Sequence, residues 1–127
     1  MKRKAFIITA ATVAIGVPFA YYYKNNRNYN PLTTPYLLSS FCSEKDLKEI
    51  GLAYRKLVPG ENELQKLTDL LLTDETGKKI AASDKSAIEK LVDKKMTAEF
   101  VSSNTIIING WILSVTEARQ CAVFSFN

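Results

Sequence analysis

Apolar residues recur along this chain in three different rhythms. From Ala5 to Tyr23 the side chains are uncharged without a break, a run of 19 residues framed by Lys2, Arg3 and Lys4 on one side and Lys24 on the other. That length suits a helix crossing a hydrocarbon core, and the basic start followed by an apolar stretch is also the layout of a secretory signal. Residues 24–40 then break the pattern with asparagines and with Pro31 and Pro35. Such a stretch predicts a linker lying along the domain, with Tyr36, Leu37 and Leu38 beginning the core.

From residue 41 onward the apolar spacing turns helical. Leu47, Ile50, Tyr54 and Leu57 share one face of a helix that Pro59-Gly60 ends. Ser43 with Asp46 three residues on resembles a capping box. Gly51 sits inside this helix, where it costs about 1 kcal/mol relative to alanine, and it predicts close approach to a second helix. Leu64, Leu67, Leu70 and Leu71 form the face of another helix, and the polar stretch 73–84 is an exposed connection. Ile88, Leu91, Val92, Met96 and Phe100 mark a third, whose charges lie opposite as a solvated face.

The third rhythm is that of strands. Thr105 to Ile108 is rich in β-branched residues, Asn109-Gly110 is the strongest short hairpin signal, and Trp111 to Leu113 can return antiparallel. A lone hairpin is marginal in water, so it must lie against the helices or a partner. Ser114 and Glu117 spell a Ser-x-x-Glu capping box for a last short helix. In that helix Val115, Ala118 and Ala122 share one side and Phe124 points nearly opposite. A helix apolar on most sides wants burial all round, between its own domain and a larger subunit.

The predicted fold is therefore mainly α: about four helices with a short C-terminal β-hairpin, after an N-terminal hydrophobic signal or anchor helix. Residues 1–23 are the signal or membrane anchor, 24–40 the linker and 41–127 the small helical domain.

Charge narrows the function classes. The net charge of +4 comes from Lys2, Arg3, Lys4 and Lys24; residues 25–127 hold 13 basic and 13 acidic residues. Without a basic stripe on the folded part, nucleic acid is not an expected partner. There is no histidine, which removes the commonest general base and metal ligand near neutral pH. The two cysteines cannot alone build a four-cysteine metal site, and no Gly-rich phosphate loop is present. Catalytic, cofactor-binding and metal-binding residues are accordingly expected to be none.

The leader leaves its processing open. Pro18 occupies the −3 place for cleavage after Ala20, which favours an uncleaved anchor over a released signal. Tyr21, Tyr22 and Tyr23 would then lie at the membrane interface. Residues 3–7, Arg-Lys-Ala-Phe-Ile, resemble a twin-arginine export signal with Lys4 replacing the second arginine; an ordinary basic start fits as well. The expected location is the periplasm or the outer face of the inner membrane.

Near the C-terminus the stretch NGWILSVTEARQC gathers the most distinctive side chains. Tyr54, Trp111, Glu117, Arg119 and Phe124 are the interface candidates. Arg119 presents a rigid donor fork that fits a contact with another subunit, an internal ion pair, or a bound substrate. Trp111 reads as core before cofactor platform. Cys42 and Cys121 are a candidate disulfide in an oxidising compartment, or two separate thiols. Glu117, one turn before Cys121, would raise its thiol pKa, which argues against a thiol-dependent enzyme.

The order of leader, a helix ending in YRKLVPGENE, a leucine-rich helix and a final INGWILSVTEARQC resembles the gluconate 2-dehydrogenase subunit 3 family, small subunits of membrane-associated, flavin-dependent sugar and polyol dehydrogenases. The resemblance covers roughly residues 37–127, plus the general character of the leader. It implies a non-catalytic accessory subunit that supports assembly, export or membrane attachment of a large FAD-containing dehydrogenase subunit, with a cytochrome or other electron acceptor beyond it. FAD would be bound by that partner and not by this chain. Tyr54, Pro59, Trp111 and Arg119 are the positions that match recurring family residues, while Lys4 departs from the family leader. A membrane-tethered periplasmic binding or adaptor protein without redox work is the alternative.

Overall fold

The computed structural model describes residues 30–127. The signal or anchor expectation falls on residues 1–23 and lies outside them. Among the described residues no helix is long and apolar enough to cross a membrane.

Five α-helices and one hairpin follow in order: α1 (Tyr36–Ser39), α2 (Glu44–Leu57), a 3-10 turn (Pro59–Glu61), α3 (Leu64–Leu72), α4 (Lys85–Val101), β1 (Thr105–Ile108), β2 (Trp111–Ser114) and α5 (Val115–Phe124). The mainly helical class with a C-terminal hairpin is as the periodicity predicts. Helix α1 falls within the stretch 24–40. Tyr36, Leu37 and Leu38 are buried, beginning the core as expected.

Local chemistry explains the element ends. Ser43 Oγ accepts from the Asp46 amide at 3.2 Å and Asp46 Oδ2 accepts from the Ser43 amide at 3.1 Å, closing a reciprocal capping box on α2. Asp84 caps α4 by accepting from the Ala87 amide. That helix ends in a Schellman arrangement: the Asn104 amide donates to the Glu99 carbonyl and the Ser103 amide to the Phe100 carbonyl, with Ser103 at φ 60°. In the hairpin Ile108 pairs with Trp111, and Asn109 and Gly110 take φ 52° and 85°. Both signs are those of the type I′ turn that matches strand twist.

The centre of the domain is α5. Thr116, Glu117, Ala118, Gln120, Cys121, Ala122 and Val123 are all buried in it. Leu47, Ile50 and Tyr54 of α2, Leu67 and Leu71 of α3, and Ile108, Trp111 and Leu113 of the hairpin complete one continuous apolar cluster with it. The sequence asks for burial of α5 on all sides, partly by another subunit; its own domain supplies that burial. Gly51 meets α5 as expected, since a Cβ there would stand 2.0 Å from the Cys121 carbonyl oxygen.

Candidate functional site

The residues singled out at the C-terminal end do come together, but they face inward. Arg119 leaves α5 toward the 3-10 turn and donates from Nε to Glu61 Oε1 at 2.8 Å and from an Nη to Oε2 at 3.2 Å. Tyr54 of α2 donates its hydroxyl to the same Oε1 at 2.8 Å. One carboxylate thus ties α2, the 3-10 turn and α5 together. Of the three readings open for Arg119, the structure places it in an internal ion pair.

This pair lies under the surface without being sealed, the side chains being 21% and 17% exposed. Burial alone would raise the Glu61 carboxyl, but hydrogen bonds from Arg119 and Tyr54 outweigh it and hold the group below the usual range. The Tyr54 phenol is pushed up to about 12, by burial first and by the bond to Glu61 second. Removing one partner leaves the other charge poorly solvated. Arg119→Ala is therefore expected to lower stability by about 2 kcal/mol, short of the full buried-pair figure because both groups touch water. Tyr54→Phe should lose about 1 kcal/mol. Urea titrations of both variants read these losses.

Glu117 is fully buried. Its Oε1 accepts from the Ser114 amide at 3.0 Å and from Ser114 Oγ at 3.3 Å, while Ser114 Oγ accepts from the Glu117 amide at 3.1 Å. The capping box accounts for both residues. Burial pushes the Glu117 carboxyl up to about 7; the Ser114 bonds oppose this and the charge of Glu99 adds to it. Glu99, on α4, accepts from the amide and hydroxyl of Thr116 at 2.8 and 2.9 Å. It therefore serves as a second cap on α5, supplied from another helix.

The remaining candidates are packing residues. Trp111 is buried in the main cluster, and Phe124 packs against it half-buried. No disulfide joins Cys42, which is half-buried, to the buried Cys121 among the described residues. Cys121 has no exposed surface, and burial, with smaller contributions from Glu117 and Cys42, raises its pKa well above the ordinary thiol value. A thiol so placed is a poor nucleophile.

Four of the interface candidates are engaged inside the domain. Tyr54, Trp111 and Glu117 are buried, and Arg119 is committed to Glu61. Their polar atoms are used inside the domain because α5 is its central helix. Sequence reasoning passed over Glu61, Glu99 and Gln120. Glu61 and Arg119 lie 58 residues apart, beyond the reach of any local motif.

Large apolar side chains are instead exposed on other elements. Val101 is 80% exposed at the end of α4 and Ile107 is 58% exposed on β1, so the two flank the α4–β1 turn. Ile107 pairs across the hairpin with the half-buried Ile112, and among the described residues the sheet has two strands. Leu57 and Leu64, either side of the 3-10 turn, and Phe41 and Leu52 are exposed as well. Among the described residues no group of three or more histidine, cysteine or acidic side chains is arranged to hold a metal ion. Compared with protein-family models, with curated proteins and with solved structures, the chain matches none.

Proposed function

We propose that this chain is a non-catalytic accessory subunit. It would support the assembly, export or membrane attachment of a flavin-dependent sugar or alcohol dehydrogenase at the outer face of the inner membrane. FAD and the oxidising site would belong to the large partner, and a cytochrome or another acceptor would take the electrons. The link to a flavoprotein rests on the resemblance carried by YRKLVPGENE and INGWILSVTEARQC.

The observation that supports a docking role is the distribution of side chains. The polar side chains of the C-terminal segment are turned into the fold, while Val101 and Ile107 stand in water around a hairpin that pairs with no further strand among the described residues. Isolated exposed apolar residues are ordinary on protein surfaces, whereas a contiguous apolar patch marks interaction sites. A two-stranded sheet also offers free backbone donors and acceptors along its edges for pairing with another chain. The hairpin, expected from the sequence to lie against the helices or a partner, is with the end of α4 the docking surface of this reading.

Val101→Lys combined with Ile107→Lys tests this. Exposed substitutions of this kind change stability by roughly 0.5 kcal/mol or less, whereas loss of a buried apolar anchor at an interface weakens binding by about 2 kcal/mol. The full-length variant isolated from native membranes should keep its thermal midpoint and lose co-eluting flavin absorbance. Flavin co-elution equal to that of the wild type would reject this surface as the docking site.

A further inference from the structure

A short strap, residues 30–35, leads into α1; Leu32 packs it against the main apolar cluster, and one polar side chain of α5 reaches its backbone. Gln120 is fully buried and its Nε2 donates to the Pro31 carbonyl at 2.6 Å, with the Thr34 carbonyl at 3.5 Å. Two carbonyl oxygens fix which end of the amide faces the strap, because turning it over would set oxygen against oxygen. The other end, Oε1, is then buried with no donor. One helical turn earlier Glu117 Oε2 is also buried with no partner. Residues three apart on a helix share a face, and a buried polar atom left unsatisfied is costly. Two buried acceptors on one helix face, each without a donor, can both be satisfied by a single proton.

The surroundings withhold any other compensation. Glu117 takes part in no ion pair among the described residues. From α4 it faces Glu99, which disfavours its charge; from α1 it faces Tyr36, whose phenol is hydrogen-bonded to Asp93 of α4; on its own helix it faces Cys121. From α2 and α3 the buried residues are apolar, apart from Gly51 and Tyr54, and Tyr54 is engaged with Glu61. From the hairpin, Ser114 supplies the cap.

We propose that Glu117 and Gln120 form a proton-gated latch that holds the strap, residues 30–35, against the domain. With Glu117 neutral, its Oε2–H donates to Gln120 Oε1 and leaves Nε2 on the strap carbonyls. With Glu117 ionised there is no hydrogen to give. The carboxylate repels Oε1 and competes for Nε2, the amide turns toward it, and the Pro31 and Thr34 carbonyls lose their donor.

Hydrogen–deuterium exchange of the full-length chain tests the latch, with rates corrected for the intrinsic effect of pH. Residues 31–40, which contain the amide bonds of Thr33, Thr34 and Ser39, are compared with residues 47–57 of α2. Between about pH 5.5 and about pH 8.5, protection of 31–40 should fall about tenfold more than that of 47–57. Glu117→Gln should hold 31–40 protected at both pH values, and Gln120→Leu should leave it exposed at both. Equal protection of 31–40 in the wild type at the two pH values would overturn the latch, as would a Glu117→Gln protein that keeps the wild-type pH response.

Discussion

Replacing Gly51 by alanine is expected to destabilise the domain by about 3 kcal/mol or more, at the top of the range for overpacking. The added Cβ would lie 2.0 Å from the Cys121 oxygen, 2.5 Å from its carbonyl carbon and 2.9 Å from the Ala122 nitrogen. All three are backbone atoms, so no rotamer change relieves the clash, and α2 and α5 must part along the densest contact in the fold. Alanine's better helix propensity returns about 1 kcal/mol at most. The clash wins. In a chain this size the loss lowers the thermal midpoint by more than about 10 °C. Gly60→Ala is the control: nothing lies within 4 Å of a Cβ at that position, and its midpoint should stay close to the wild-type value. A Gly51→Ala protein as stable as wild type would mean that the two helices are not packed backbone to backbone.

The second large effect is a stability profile that falls with rising pH. Glu117 has a folded pKa of about 7 against an ordinary value of 4.5. The folded state therefore binds the proton more tightly than the unfolded one. Its contribution is fully present below pH 4.5 and is lost as pH rises from there through 7. The loss amounts to about 3 kcal/mol. Glu61 acts in the opposite sense: its carboxyl is held below its ordinary value of 4.5, so its contribution is lost as pH falls through that lower folded pKa. Together they set the stability maximum on the mildly acidic side. Denaturant midpoints from about pH 5 to about pH 8 should decline for the wild type and stay nearly flat for Glu117→Gln, which keeps a competent capping residue. A wild-type profile that rises over this range would show Glu117 to be stabilised in its charged form.

What could be read in the residues was whatever is decided locally. Ser43 with Asp46 and Ser114 with Glu117 announce helix starts, because each box is a reciprocal bond across three residues. Asn109-Gly110 announces its turn through the positive φ that both positions require. Gly51 announced a close approach without its counterpart. The α1 turn escaped because Tyr36, Leu37, Leu38 and Ser39 make one turn only, too short to display a period beside two prolines. The apolar ring around α5 correctly called for burial on every side. Periodicity cannot say whose atoms provide it, and α2, α3, α4 and the hairpin do so here. For the same reason the readings of Arg119 stayed open: its carboxylate partner comes from a 3-10 turn remote in sequence, and Glu99 reaches Thr116 from a neighbouring helix.

Under the proposed function, holding the fold and meeting a partner fall to different residues, and one paired measurement separates them. Full-length wild type, Val101→Lys with Ile107→Lys, and Arg119→Lys are each purified from native membranes, and thermal midpoint and co-eluting flavin absorbance are recorded together. The lysine pair at the α4–β1 turn should lose the flavin at an unchanged midpoint, and Arg119→Lys should lower the midpoint while any protein that remains folded retains the flavin. An Arg119→Lys protein of wild-type stability that no longer carries flavin, beside a lysine pair that still does, would contradict that division and return the contact to α5.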